Sequence, residues 1–327
     1  MTNHAVVQNH SIGARRLSVL FALSLVAIVG AADVVWIWLL DIPFLSDKNL
    51  SFLYIFSGFL VSLALFQLLV MSRDGPAIAK LLGGTPVPDQ PADLMTKTYC
   101  QVASEVLLAA AVPAPQLFVM KRERRINAFA AGQLGSKTAI CVSAGALENL
   151  TREELQGVVA HEMAHLKFDD VRLSKWLSSG LFALLGLTGL GMFLMAALGA
   201  VGQGNGKGEG AAAALLLGLS GLVLVLIGGV GYCCAGMISA GVSRKMEFRA
   251  DAEAVRMLSS SAGLVGALVK LTHEARRIDD DSDGMNADNP LCLREASRKF
   301  WFDTHPPLLA RIRALDPRRA IELESTL

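Results

Sequence analysis

Charge is scarce in this chain of 327 residues. Lys, Arg, Asp and Glu make up 18%, and they nearly cancel to a formal net charge of +1. A protein that binds nucleic acid through its phosphates needs a strongly basic face, so nucleic acid is excluded as a partner. The basic run Lys121-Arg122-Glu123-Arg124-Arg125 is accounted for by membrane topology instead. Aromatics are few, at 6%. The five cysteines, Cys100, Cys141, Cys233, Cys234 and Cys292, follow neither a disulfide framework nor a thiolate metal spacing, and they read as free thiols. No repeat of 20 to 50 residues is present, which excludes solenoids and propellers.

The missing charge is missing in particular places. Hydrophobic residues reach 53% and the mean hydropathy is +0.46, both above what a soluble domain carries. Residues 17–40, 50–71, 177–201 and 211–240 are apolar runs with at most one acidic side chain. A bilayer core needs about 20 such residues per helix, so the expectation is four transmembrane helices. Residues 17–30 also resemble a signal peptide, but apolar character continues through Trp36 and Trp38, which favours a retained anchor. Arg15, Arg16, Arg73, Lys80, the basic run at 121–125, Lys167, Arg172, Lys175, Arg244 and Lys245 all fall on one side of this layout. The positive-inside rule therefore puts both termini and everything between the two span pairs in the cytoplasm.

Against this background one heptapeptide stands out, Val159-Ala160-His161-Glu162-Met163-Ala164-His165. Histidines at i and i+4 share a helical face and can reach one metal ion, while Glu162 lies beside the position a water would take. Thr151 and Glu154 form a capping-box pattern that starts a helix about three turns earlier. Leu155, Val158, Val159, Met163 and Leu166 give that helix an apolar stripe. A catalytic zinc needs a third protein ligand and an open fourth position. Glu247 and Asp251, also four apart, offer it. With Glu247 on the metal, Asp251 is placed one turn on to accept the free N–H of a ligating imidazole. Taken alone, the same residues would suit an amphipathic helix with its acids in water.

The pair His-Glu-Met-Ala-His and Ser243-Arg-Lys-Met-Glu-Phe-Arg-Ala-Asp-Ala-Glu-Ala254 resembles the HtpX-like branch of membrane-bound zinc metallopeptidases, within the Glu-zincins. Asn127-Ala128-Phe129-Ala130, Thr304-His305-Pro306-Pro307 and Arg311 fall in the matching order, and the resemblance covers roughly residues 70–320. It implies one zinc ion held by His161, His165 and Glu247, with Glu162 as general base and Asp251 behind His161. It further implies that Asn127 contacts substrate near the metal. His305 has three readings: a donor to the oxyanion of the intermediate, with Arg311 supporting substrate or intermediate, an inhibitory fourth ligand, or a helix-start residue without a role. The resemblance implies a bacterial inner-membrane enzyme that degrades misfolded membrane proteins, with the lipid bilayer as its second partner. The oligomeric state stays open.

The fold expected is mainly α and integral to the membrane, with four transmembrane helices and a cytoplasmic α+β zincin-like peptidase domain carrying a small β-sheet. Residues 1–75 form the anchor, 76–176 the first half of the peptidase domain, 177–240 a transmembrane hairpin, and 241–327 the second half. Within the peptidase halves, residues 93–111 read as a helix and 116–121 and 137–142 as strands flanking a turn-rich Asn-Ala-Phe-Ala segment. A continuous helix from His165 into the third span would set the metal roughly 15 to 20 Å from the membrane boundary. Asp279 to Gly284 imitates half a calcium loop, but Pro290 stands where the closing Glu is needed, which leaves an acidic surface loop. A prenyl-protein peptidase and a zinc-stabilised scaffold without activity are the alternatives. The former has more spans than this chain, and the latter has no need of Glu162.

Overall fold

The computed structural model describes residues 74–133, 136–201, 209–285 and 306–326. The two N-terminal spans at 17–40 and 50–71 and His305 lie outside the described residues. In chain order the described elements are α1 (Gly75–Leu81), β1 (Thr85–Pro86), α2 (Leu94–Ala110), β2 (Gln116–Met120), β3 (Ala128–Ala131), β4 (Ala139–Ser143), α3 (Ala144–Asn149), α4 (Arg152–Lys167), α5 (Asp170–Val201), α6 (Glu209–Leu258), α7 (Ala262–Met285), α8 (Leu308–Leu315) and α9 (Pro317–Thr326). The chain divides into two compact units. One takes in the described residues up to Leu173 and from Val242 onward, and the other runs through the hairpin from Ser174 to Gly241.

The first unit is built on a four-stranded sheet of order β1-β2-β4-β3. β2 and β4 run parallel, with Gln116 opposite Ala139, so the two strands expected from sequence are neighbours but not a hairpin. The Asn-Ala-Phe-Ala segment, expected as a turn, supplies edge strand β3, antiparallel to β4 with Phe129 opposite Cys141. Alanine is a poor strand former, and pairing with β4 overrides that preference. β4 is buried at all five positions, as a central strand covered on both faces should be. Burial pushes the Cys141 thiol up to about 12, which leaves it inert.

Tyr99, Val102 and Val106 of α2, Ile140 and Val142 of β4, Val159 and Met163 of α4 and Leu264, Val265 and Leu268 of α7 form one core. Asp93 caps α2 by accepting from Thr96 N at 2.7 Å, and Ala111 closes it in the left-handed region. α4 and α7 cross with almost no gap. A Cβ on Gly157 would lie 2.5 Å from Leu264 N, and one on Gly263 would lie 2.2 Å from Glu153 O, so glycine is required at both positions. The acidic stretch read as a loop is helical to Met285: the sequence has no breaker before Gly284, and the backbone ladder of α7 simply propagates through the aspartates.

In the second unit Leu187, Leu194 and Leu224 pack together with Leu190 and Ile227. Two described helices are long and apolar enough to cross a membrane, over Asp170–Met192 and Gly218–Leu258. They overlap the third and fourth expected spans.

Candidate metal centre

α4 begins where its capping box dictates. Thr151 Oγ1 accepts from Glu154 N at 3.3 Å, and the Glu154 carboxylate accepts from Thr151 N at 2.7 Å. Lys270 of α7 adds a 2.6 Å ion pair that helps hold Glu154 below its usual carboxylate range, against the upward pull of partial burial. This start sets the rotation of the helix so that Leu155, Val159 and Met163 enter the core. The face carrying His161 and His165 then turns toward α6. There Glu247 and Asp251, one turn apart, meet the two imidazoles.

The His161 and His165 Nε2 atoms stand 3.1 Å apart. Glu247 Oε2 lies 3.4 Å from His161 Nε2, and Oε1 lies 3.7 Å from His165 Nε2. One ligand atom from each residue falls within 4.8 Å of the other two. A tetrahedral zinc with bonds near 2.0–2.2 Å separates its ligands by about 3.3 Å, so the donor triangle has the right size. Its rear is built to match. His161 Nδ1 lies 2.9 Å from Asp251 Oδ1, and His165 Nδ1 lies 2.8 Å from Asp170 Oδ2. With both Nδ1 atoms turned to carboxylates, both Nε2 atoms are left facing one position, an arrangement that suits a cation between them. The residues present therefore fit a zinc ion.

Arg311, expected to support substrate, is 7% exposed and committed elsewhere. Its Nε and Nη2 bind Asp251 at 2.8 and 2.6 Å, and Nη1 reaches Glu247 Oε2 at 3.0 Å. Its guanidinium holds the two acidic residues of α6 in place. Glu162 is buried, at 9% exposed. Its charge is felt by Arg311, whose pKa is drawn down by burial but raised overall by Asp251, Glu247 and Glu162. Asn127 is exposed at the entry to β3, where its N–H donates to Ser143 Oγ at 3.0 Å and its carbonyl accepts from Ser143 N at 2.9 Å.

Sequence reasoning missed Asp170 and Arg249. A continuous helix from α4 would carry Asp170 about 140° round and about 7.5 Å along from His165, out of reach. The helix is not continuous: α4 ends at Lys167, Asp169 adopts a φ of 57°, and α5 starts afresh at Asp170. The expected straight path from metal to membrane is thus broken one residue before α5. The available signal was the Asp-Asp pair, since aspartate tolerates the left-handed region better than most residues.

A metal triangle on two helices, with a glutamate inside the histidine motif and a small sheet alongside, defines a metallopeptidase. Residues 95–319 match the family described as Peptidase family M48, and the chain belongs to that family. Among its relatives is a Protease HtpX homolog of Caldanaerobacter subterraneus subsp. tengcongensis, 34% identical over 219 residues, covering 65% of this chain and 69% of the relative. Another, from Ligilactobacillus salivarius, is 31% identical over 217 residues, covering 66% and 71%. The crystal structure of S. mikatae Ste24p aligns with 93% of this chain and 66% of its own at 18% identity and a TM-score of 0.43, a likeness too slight to carry a conclusion.

Proposed function

We propose that this metalloprotease is a membrane-embedded zinc endopeptidase that cleaves polypeptides at the cytoplasmic face of a bacterial inner membrane, in the quality control of membrane proteins. The donor triangle of His161, His165 and Glu247, with carboxylates behind both imidazoles, carries the reading. Zinc bound there supplies a Lewis acid that polarises the scissile carbonyl and acidifies the attacking water. The Glu162 carboxylate takes a proton from that water and delivers it to the leaving amine nitrogen. Asp251 and Arg311 keep His161 and Glu247 oriented throughout. β3 packs against α4 and is an edge strand, so an extended substrate can add to it by main-chain hydrogen bonds close to the metal face. Asn127, exposed at the start of that edge, is a contact for the substrate backbone.

Membrane embedding is supported by the four apolar runs and by the outward faces of α5 and α6, which carry Phe182, Leu185, Leu222 and Leu226 on the surface. The cytoplasmic face follows from the basic residues flanking the runs. The relatives, each named Protease HtpX homolog, support proteolysis, and the motif resemblance to that branch suggests membrane proteins as the substrates. The test is to incubate the purified protein with an unfolded membrane protein, with and without a zinc chelator, and to read fragments by mass spectrometry. Chelator-sensitive internal cleavage is expected. Cleavage indifferent to chelation, or none with zinc restored, overturns the proposal.

A further inference from the structure

The zinc reading accounts for Asp251 but leaves a second buried charge cluster behind the other imidazole. Asp170 is 3% exposed and Arg249 is 5% exposed. Asp170 Oδ2 takes the His165 Nδ1–H at 2.8 Å, and its other oxygen, Oδ1, is bound by Arg249 Nη2. Arg249 is fixed in turn, because its guanidinium lies over the Phe168 ring at 4.1 Å from the centroid. The order is imidazole, carboxylate, guanidinium, aromatic face. On the opposite side of the metal triangle the order is His161, Asp251, Arg311.

Two separate features bring this cluster together. The left-handed turn at Asp169 swings Asp170 back beneath His165. Arg249 sits two residues beyond Glu247 on α6, so the helix that supplies the third metal donor also supplies the residue that locks Asp170. Burying a carboxylate and a guanidinium is costly unless each is bonded, and replacing such a pair by apolar side chains is often neutral or stabilising. Stability alone is therefore a weak reason for this pair beside a metal ligand.

We infer that Asp170 is a positioning residue for the metal, which holds the His165 ring with Nε2 facing the ion, and that Arg249 and Phe168 hold Asp170 in that role. The cluster fixes the tautomer, since a carboxylate at Nδ1 requires the proton there and leaves Nε2 free to ligate. It also fixes the ring's rotation, which a lone i+4 histidine on a helix end does not have. Asp170 is the first residue of α5 and Arg249 lies on α6, the two helices whose apolar stretches leave the peptidase unit.

This inference rests on His161, His165 and Glu247 binding zinc, and its test keeps the two apart. Full-length wild type, Asp170→Ala, Asp170→Asn and Arg249→Met are purified in detergent and stripped. Zinc affinity is read by competition with a chromophoric chelator, and the cobalt-substituted forms give ligand-field spectra. Wild type binding one zinc per chain sustains the underlying reading, and wild type binding none ends both. Given wild-type binding, Asp170→Ala is expected to weaken affinity about 10- to 100-fold and to change the cobalt spectrum. Asp170→Asn, which keeps an acceptor for the Nδ1–H, is expected to recover part of the loss and the wild-type spectrum. Arg249→Met is expected to fall between wild type and Asp170→Ala. Affinities of Asp170→Ala and Asp170→Asn within twofold of wild type, with an unchanged spectrum, overturn the inference. If Asp170→Ala does not fold, the affinity and spectrum of Asp170→Asn and Arg249→Met decide, by the same criteria.

Discussion

The two units of this protein dispose of charge and apolar surface in opposite ways. In the peptidase unit the buried side chains include His161, Glu162, Asp170, Glu247, Arg249, Asp251, Glu253 and Arg311. In the helical hairpin the buried polar residues among those described are three serines, Ser179, Ser220 and Ser239. Its outer surface instead shows Trp176, Phe182, Leu185, Leu222, Leu226 and Val230. A unit in water hides apolar groups and keeps charge outside unless charge has work to do. The hairpin behaves as though its surroundings were apolar, and the peptidase unit keeps a buried cluster of charge beside its apolar core. The contrast means that one substitution should have different consequences in the two places.

The strongest blow to the peptidase unit's side of the contrast is Glu162→Gln, which removes one negative charge and keeps the shape. If that carboxylate moves the proton, turnover falls by about 10²- to 10⁴-fold while zinc stoichiometry holds. Peptide cleavage and metal analysis on the same preparation measure both. Undiminished turnover would mean that a buried glutamate, 9% exposed, sits between the two histidines of α4 for some other reason.

Arg311→Ala comes next. The guanidinium is bonded to Asp251 and Glu247 together, and its loss leaves two buried carboxylates facing imidazoles. Breaking a buried pair in this way costs about 3–5 kcal/mol. Zinc brings positive charge to the same carboxylates, so the loss measured by thermal unfolding should be larger in chelator than with zinc. Equal losses in both would show that Arg311 serves packing, not charge balance.

How much of this was legible beforehand depended on the range of the interaction. The helix of α4 was readable because its signals are local: a cap at Thr151, a partner at Glu154, and an apolar stripe with a helical period. The donor triangle was readable because His161 and His165 share one turn and Glu247 and Asp251 share another, so only the meeting of two faces had to be inferred. Asp170 was not readable, because its reach to His165 depends on a single φ of 57° at Asp169, and no periodic pattern reports a break of that kind. β3 was hidden for a different reason. Three of the four residues of Ala-Phe-Ala-Ala are alanines, which disfavour strands, and the segment is held by its neighbour β4. The partners of Arg311 were hidden because they come from α6, which is remote in sequence and carries no signal of that contact.

A third experiment makes the contrast between the units directly. Leu108 of α2 is 86% exposed and Leu226 of α6 is 55% exposed. Arginine at each position asks what lies outside. On a helix in water, Leu108→Arg should change stability by no more than about 0.5 kcal/mol. At Leu226 the same change should oppose membrane insertion by about 2.5–3.5 kcal/mol if the position lies near the bilayer centre. The fraction recovered in membranes, compared between the two variants, reads the difference. If Leu226→Arg inserts as well as Leu108→Arg, the outer face of the hairpin meets water and the contrast fails.

The last effect is spread over pH, modest at each step, and concerns the proton that competes with zinc. Burial and the charge of Arg311 pull the His161 imidazole down, but hydrogen bonds and charge from Asp251 and Glu247 outweigh them and push it from 6.5 up to about 9. A folded-state value raised above the unfolded one stabilises the metal-free protein fully below about pH 6.5, and that contribution fades as pH rises through about 9. Zinc needs the His161 Nε2 lone pair, so binding releases this proton throughout the same window. The affinity should accordingly rise about tenfold for each pH unit between the two values and level off above the upper one. Chelator competition at half-unit steps measures the slope. Asp251→Asn removes one of the two carboxylates that raise the imidazole, so in that variant the plateau should begin at lower pH. A profile that is flat in the wild type, or unmoved in Asp251→Asn, would mean that the proton zinc displaces is not held between His161 and the acidic pair of α6.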